Sequence, residues 1–169
     1  MTTDNASKLE FSPATAADMP FIRETIERER LDPEHLESEQ FITVRRDSKI
    51  VAFGRIKPYE RTYELASVAV VESERGKGLG EAIVRELVRR FPQHDVYVTT
   101  DLPQYFERLG FLRTEILPDE LSAKIERVYG TYAKASSAWS TTVTTISCRP
   151  SPTSIGPSTC CRDNSRAHR

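Results

Sequence analysis

The chain has 169 residues, a net charge of −1 and 29% charged residues, which suits one domain and gives no global field for nucleic acid or an acidic membrane. It has no apolar run of the roughly 20 residues that cross a bilayer, and its start, MTTDNASKLEF, lacks the basic and apolar segments of a secretory signal, so the expected location is cytoplasmic. All three cysteines (Cys148, Cys160, Cys161) lie near the end and the three histidines (His35, His94, His168) are scattered, so neither a disulfide in the body nor a metal site is expected.

Residues 1–7 read as a disordered start. Leu9 to Phe11 alternate in polarity as a short strand. Thr15 or Ser12 caps a helix that has Asp18 in its first turn and Met19, Ile22 and Ile26 on its apolar stripe. Leu31 to Glu39 is a polar turn region. Phe41 to Val44 is a strand, Asp47 to Lys49 a hairpin turn, and Ile50 to Lys57 the returning strand. A charged loop, Pro58 to Thr62, leads into Tyr63 to Val71, whose continuous apolar character predicts a central strand buried on both faces.

Next comes Arg75-Gly76-Lys77-Gly78-Leu79-Gly80, followed by a helix from Glu81 to Arg90 with Ile83, Val84, Leu87 and Val88 on its core face. Glycines at these positions let the chain turn tightly and leave its N–H groups uncovered. Those groups face outward at the positive end of the helix dipole, which makes an anion cradle with Arg75 and Lys77 adding charge. The pattern is not a P-loop, because no Lys-Ser/Thr pair follows the last glycine, and it departs from the dinucleotide fingerprint in spacing and position. Val96 to Thr100 is a strand, Leu102 to Leu109 a helix stopped by Gly110, Phe111 to Thr114 a strand, and Pro118 to Tyr129 a last helix.

Arg-x-x-Gly-x-Gly behind an apolar strand resembles the acetyl-CoA signature of the GNAT N-acetyltransferases. A second segment, DLPQYFERLGF from Asp101 to Phe111, resembles that family's late "FYEKLGF" motif, in the expected order and at a suitable separation. Val98 to Phe111 also has a look of the N-acetylglutamate synthase branch, which does not identify the acceptor as glutamate. The resemblance covers roughly Leu9 to Tyr132. It implies the GNAT acyl-CoA N-acyltransferase fold, an α/β architecture with a mixed central sheet and helices on both faces, in one domain over 8–134. It also implies an acetyl-CoA co-substrate and a small-molecule amine acceptor, with a homodimer allowed.

By that resemblance, the N–H groups from Arg75 through Gly76, Lys77, Gly78, Leu79 and Gly80 take the pyrophosphate, with Glu81 beginning the helix behind them. Gly78 and Gly80 are the least replaceable, since a Cβ there would push the phosphates away. Val68, Ala69 and Val70 offer main chain to the pantetheine arm, and an N–H near Val70 serves as oxyanion donor. Glu64 is the candidate base, acting directly or through water. The other reading makes it a solvated strand-end residue or a partner of Arg55, Lys57 or Arg61. In place of the family's motif tyrosine stands Phe106, with Tyr105 one residue earlier and about 100° away around the helix. Three readings follow: water protonates the thiolate, Tyr105 reaches it by local adjustment, or the domain binds acetyl-CoA with little transfer. A thiol pKa of about 8.5 makes thiolate a tolerable leaving group and favours water. Lys57, Tyr59 and Arg61 either line the acceptor side or form a solvated loop.

From Ser136 the composition changes. Twenty basic and 24 acidic residues precede it, a charge of −4, while four basic and one acidic follow, a charge of +3. Fourteen of the last 34 residues are Ser or Thr. Residues 135–169 are therefore expected to be a disordered tail. Within it, Thr141 to Ile146 has a strand-like composition that could pair with a sheet edge. The final apolar strand with which GNAT chains usually end is not evident.

Overall fold

The computed structural model describes residues 8–91, 95–114, 117–135 and 144–148. In chain order these form β1 (Glu10–Pro13), α1 (Met19–Arg28), β2 (Phe41–Arg46), β3 (Lys49–Pro58), β4 (Tyr63–Val70), α2 (Leu79–Arg89), β5 (Val96–Thr100), α3 (Pro103–Arg108), β6 (Leu112–Arg113), α4 (Asp119–Ala135) and β7 (Thr144–Cys148). The chain divides into two units. One spans 1–57 with 65–87, the other 58–64 with 88–169. β4 contributes its first two residues to the second unit and the remainder to the first.

In the first unit the strand order is β1-β2-β3-β4. β1 and β2 pair antiparallel, with Phe11 opposite Val44, and β2 pairs antiparallel with β3, with Ile42 opposite Gly54. The β2–β3 hairpin turns through Asp47 and Ser48, both in the left-handed region (φ 50° and 65°) that a tight two-residue hairpin demands. Side chains alternate across a strand, and the contacts of β3 show it. Phe53 packs with Met19, Ile22 and Ile26 of α1, together with Phe41 and Ala69. The next residue, Gly54, lies under α2: a Cβ there would sit 2.8 Å from Leu87 Cδ1 and 3.2 Å from Val68 Cγ2. Thus α1 and α2 cover opposite faces, and Gly54 lets α2 lie close on the strands. The single 3-10 turn Ala16–Asp18 that leads into α1 is fixed by a capping box. Asp18 Oδ2 accepts from the Thr15 N–H at 2.8 Å and from the Thr15 hydroxyl at 2.9 Å, while Arg45 donates to Oδ1 at 2.6 Å.

In the second unit the order is β4-β5-β7-β6. β4 and β5 run parallel, with Tyr63 opposite Val96 and Glu64 opposite Tyr97. β7 pairs antiparallel with both β5 and β6. Val96, Val98, Phe106, Leu109, Phe111 and Leu121 are buried, and the Phe106 and Phe111 rings meet edge to face at 5.5 Å. Parallel and antiparallel pairs coexist, so the sheet is mixed, as the order of sequence elements implies.

β7 corrects the expectation of disorder throughout 135–169. Residues 144–148 are a strand between β5 and β6, overlapping the segment singled out for its β-branched composition, and they take the place of the closing strand that was not evident in the sequence. α4 also runs past its expected end at Tyr129 to Ala135. Residues 1–7 and the remaining tail lie outside the described residues.

Candidate active site

The glycine turn belongs to the first unit. Gly76 and Gly78 have φ of 78° and 80°, a region costly for any residue with a Cβ. A Cβ built on either meets no atom within 4 Å, so the turn faces open space on the side where those atoms would project. Gly80 differs: it lies inside α2, which starts at Leu79, and the Ala82 N–H to Gly78 carbonyl bond (3.0 Å) closes the first helical turn. Leu79 is buried and fixes the helix start, while Arg75 to Gly78 are exposed. The first N–H groups of any helix have no acceptor within it, and here they open at the glycine turn. The residues present therefore fit a pyrophosphate: uncovered backbone donors, space above them, and the positive end of an 11-residue helix.

The two cations differ from expectation. Arg75 does not simply add charge to the cradle. Its Nη2 donates to Glu29 Oε2 at 2.9 Å and its Nε to the Val70 carbonyl at 3.1 Å. Lys77 pairs with Glu74 at 3.2 Å, and Glu74 also pairs with Arg46 at 3.1 Å. Both positive charges are matched locally.

Val68, Ala69 and Val70 close β4, and strand regularity breaks just before them: Ser67 has φ 50° and is buried. Its hydroxyl donates to the Asp32 carbonyl at 3.2 Å. Asp32 in turn belongs to a buried ionic cluster, with Oδ2 3.3 Å from Arg55 and 3.2 Å from Lys57, which also pairs with Glu34. Arg55 further donates to the Glu34 and His35 carbonyls. Lys57 is thus a buried partner of Asp32 and Glu34 rather than part of a solvated loop. The signal available was Arg55 and Lys57 two apart on an otherwise apolar strand.

Glu64 belongs to the second unit and is 1% exposed. It is not a solvated strand-end carboxylate, and the hydrogen bonds to it come from Lys124 and Tyr59 rather than from the Arg55, Lys57 or Arg61 of the other reading. Lys124 of α4 donates to both oxygens, at 2.8 and 2.9 Å, and the Tyr59 hydroxyl donates to Oε2 at 2.8 Å. Lys124 escaped the sequence reading because its partner is 60 residues away. Its signal was position: three residues after Leu121, it occupies the buried stripe of α4.

In α3, Phe106 turns inward onto Phe111, while Tyr105 is half-buried, its ring edge-on to Phe106 at 5.1 Å and 5.9 Å from the Arg108 guanidinium. Tyr105 therefore does not share the direction taken by Phe106.

A model of the acetyltransferase (GNAT) family matches residues 8–111, more than half of the chain. The chain belongs to the GNAT family. Among solved structures, N-acetylglutamate synthase from Neisseria gonorrhoeae, complexed with coenzyme A and L-arginine, is similar at a TM-score of 0.64 and 15% identity. That match covers 84% of this chain and 33% of the other, so this chain spans about a third of that protein's length. Rv2747 from Mycobacterium tuberculosis, in complex with CoA, gives a TM-score of 0.63 at 20% identity, covering 82% and 97% of the two chains. YhbS from Escherichia coli, a GNAT family protein in complex with CoA, gives 0.53 at 20% identity, covering 66% and 73%. At these identities the likeness establishes the fold. No curated protein sequence matches the chain. Among the described residues, no helix is long and apolar enough to cross a membrane.

Proposed function

We propose that this GNAT domain moves the acetyl group of acetyl-CoA directly to a primary amine of a small molecule, an amino acid or related metabolite being the class to test first. The observation that carries the reading is the turn: two glycines at φ near 80°, open space where their Cβ atoms would stand, and a helix start immediately behind. In this reading the N–H groups from Arg75 to Gly80 hold the pyrophosphate, with Glu81 in the first turn of α2 rather than beginning it. The pantetheine arm follows the main chain of Val68, Ala69 and Val70. The Val70 carbonyl already accepts from Arg75, so the main-chain N–H groups of this stretch are the ones proposed for the arm and the oxyanion.

Glu64 is the proposed base, and water the proposed proton source for the departing thiolate. Tyr105 is the alternative source, disfavoured by its half-buried, edge-on setting. A second reading, a non-catalytic acyl-CoA sensor, draws support from Phe106 in the tyrosine's place and from the full engagement of Glu64 by Lys124 and Tyr59. Thiol release from acetyl-CoA with a panel of amines separates them. The enzyme reading expects turnover with at least one amine, lost by about 10²-fold or more in Glu64→Gln. Binding of acetyl-CoA without turnover of any amine would leave the sensor.

A further inference from the structure

Ser67 lies inside β4, is buried and has a φ of 50°, a region that residues with a Cβ seldom enter. Such a conformation persists only where the surroundings hold it. The Ser67 hydroxyl donates to the Asp32 carbonyl at 3.2 Å, and Arg55 Nη2 donates to the same oxygen at 3.0 Å. Arg55 is wholly buried, and its Nη1 also donates to the Glu34 and His35 carbonyls at 2.9 and 3.1 Å. The Asp32 side chain is held as well, by Lys57 at 3.2 Å and by the Glu34 N–H at 2.9 Å. One acceptor thus ties Ser67 to a segment that β3 already fixes.

The other end of the stretch after Ser67 is also pinned. The Val70 carbonyl accepts from Arg75 Nε at 3.1 Å, and the Val71 N–H donates to the Val51 carbonyl at 2.9 Å. Val68, Ala69 and Val70 therefore lie between two anchors, and all of these residues belong to the first unit. Successive peptide groups of a regular strand point alternately to its two edges. A positive φ turns one peptide group against the next and resets that alternation. The directions of the donors that follow depend on it.

We propose that Ser67 is a positioning residue for acetyl-CoA: its left-handed backbone, held through the Asp32 carbonyl by Arg55, aims the main-chain N–H groups of Val68 to Val70 at the pantetheine arm. This rests on the acetyl-transfer reading above, in which that stretch takes the arm and the glycine turn takes the diphosphate. The two halves of the cofactor then depend on separate features of the first unit. A left-handed conformation costs a residue with a Cβ about ten-fold in an equilibrium, so an unanchored alanine leaves it. Glycine meets no such cost and keeps it without the hydroxyl.

The test is calorimetric titration of the full chain as wild type, Ser67→Ala and Ser67→Gly. The probes are acetyl-CoA and 3′-phosphoadenosine 5′-diphosphate, the cofactor's nucleotide end without the arm. Wild type is expected to bind acetyl-CoA more tightly than the nucleotide. Ser67→Ala loses about ten-fold in acetyl-CoA affinity, while its nucleotide affinity stays within about two-fold. Ser67→Gly recovers acetyl-CoA affinity to within about three-fold of wild type. An alanine variant that binds acetyl-CoA as wild type does overturns the proposal. So does an equal loss for both ligands, which marks a general loosening of the fold. A glycine variant no better than alanine overturns it too, since the conformation is then not what the anchor supplies. A wild type that binds the nucleotide as tightly as acetyl-CoA shows that β4 takes no arm, which sinks the inference and spares the turn. A wild type that binds neither overturns the cofactor reading, and the inference with it. Should Ser67→Ala fail to fold, Arg55→Lys takes its place, keeping the buried charge but not the fork that reaches the Asp32 carbonyl. The same signature is expected, weaker acetyl-CoA with the nucleotide unchanged, and its absence overturns the proposal.

Discussion

Around the glycine turn one ion pair is exposed, the side chains of Arg75 and Glu29 being 51% and 32% accessible, while Lys77 at 50% meets a largely buried Glu74 at 13%. Around Glu64 the pair is dry, with Glu64 and Lys124 each at 2%. The same chemistry therefore has two different energetic meanings. Exposed pairs contribute about 0–1 kcal/mol and are screened by salt, so a diphosphate bound there would exchange for Glu29 at little cost. A buried pair gains little over an apolar substitute, yet losing one partner costs about 3–5 kcal/mol because the other charge is stranded. Charge at the turn is exchangeable and suited to holding a ligand that comes and goes. Charge at Glu64 is fixed and suited to holding one carboxylate in place.

The contrast is broken most severely at Lys124. Lys124→Met strands the Glu64 carboxylate and is expected to cost about 3–5 kcal/mol in urea unfolding at neutral pH, with most of the loss recovered in Lys124→Met/Glu64→Leu. Equal instability of the double variant would show that packing, not charge, dominates there. At the turn the effects fall on binding. Gly78→Ala is expected to cost about 1–2 kcal/mol in stability through its left-handed backbone alone, since its Cβ meets no neighbour. Its acetyl-CoA affinity should fall at least about ten-fold, the cost of one displaced charge-assisted donor.

Asp18 sharpens the comparison as a partly buried intermediate case. Burial pushes its carboxyl up, but hydrogen bonds from Arg45 and Thr15 outweigh this and hold it below the ordinary 3.8. The stabilisation is then fully present above the unfolded value and is lost as pH falls through the lowered folded value. Asp18→Asn should cost about 1 kcal/mol at pH 7 and flatten the acid limb of the stability profile below about pH 4. The smallest effect belongs to Glu29→Gln: stability within about 0.5 kcal/mol, acetyl-CoA bound a few-fold more tightly at low salt, and the gain erased at high salt.

What the sequence disclosed follows the same division between local and distant. Gly76 and Gly78 were legible because a positive φ is a local demand that glycine alone meets freely. Ile83, Val84, Leu87 and Val88 were legible because helical spacing is local. Thr15 and Asp18 form a capping box within three residues. The Lys124–Glu64 pair spans 60 residues and the Asp32–Arg55–Lys57 cluster spans 25, so no window of sequence holds either, and a lysine in α4 reads as solvent-facing until its place after Leu121 is weighed. β7 was obscured by composition: the Ser/Thr-rich surroundings of 144–148 speak for disorder, and only β5 and β6, which flank it, make a strand of it.

The central claim, that the Arg75–Gly80 turn holds the pyrophosphate of acetyl-CoA, is tested most directly by calorimetric titration of the full chain with acetyl-CoA beside Gly78→Glu. The account predicts saturable binding by the wild type and none by Gly78→Glu, which sets a side chain and a negative charge into the open space above the turn while the fold, checked by circular dichroism, is retained. A folded wild type that does not bind, or a Gly78→Glu variant that binds as well as the wild type, would contradict it.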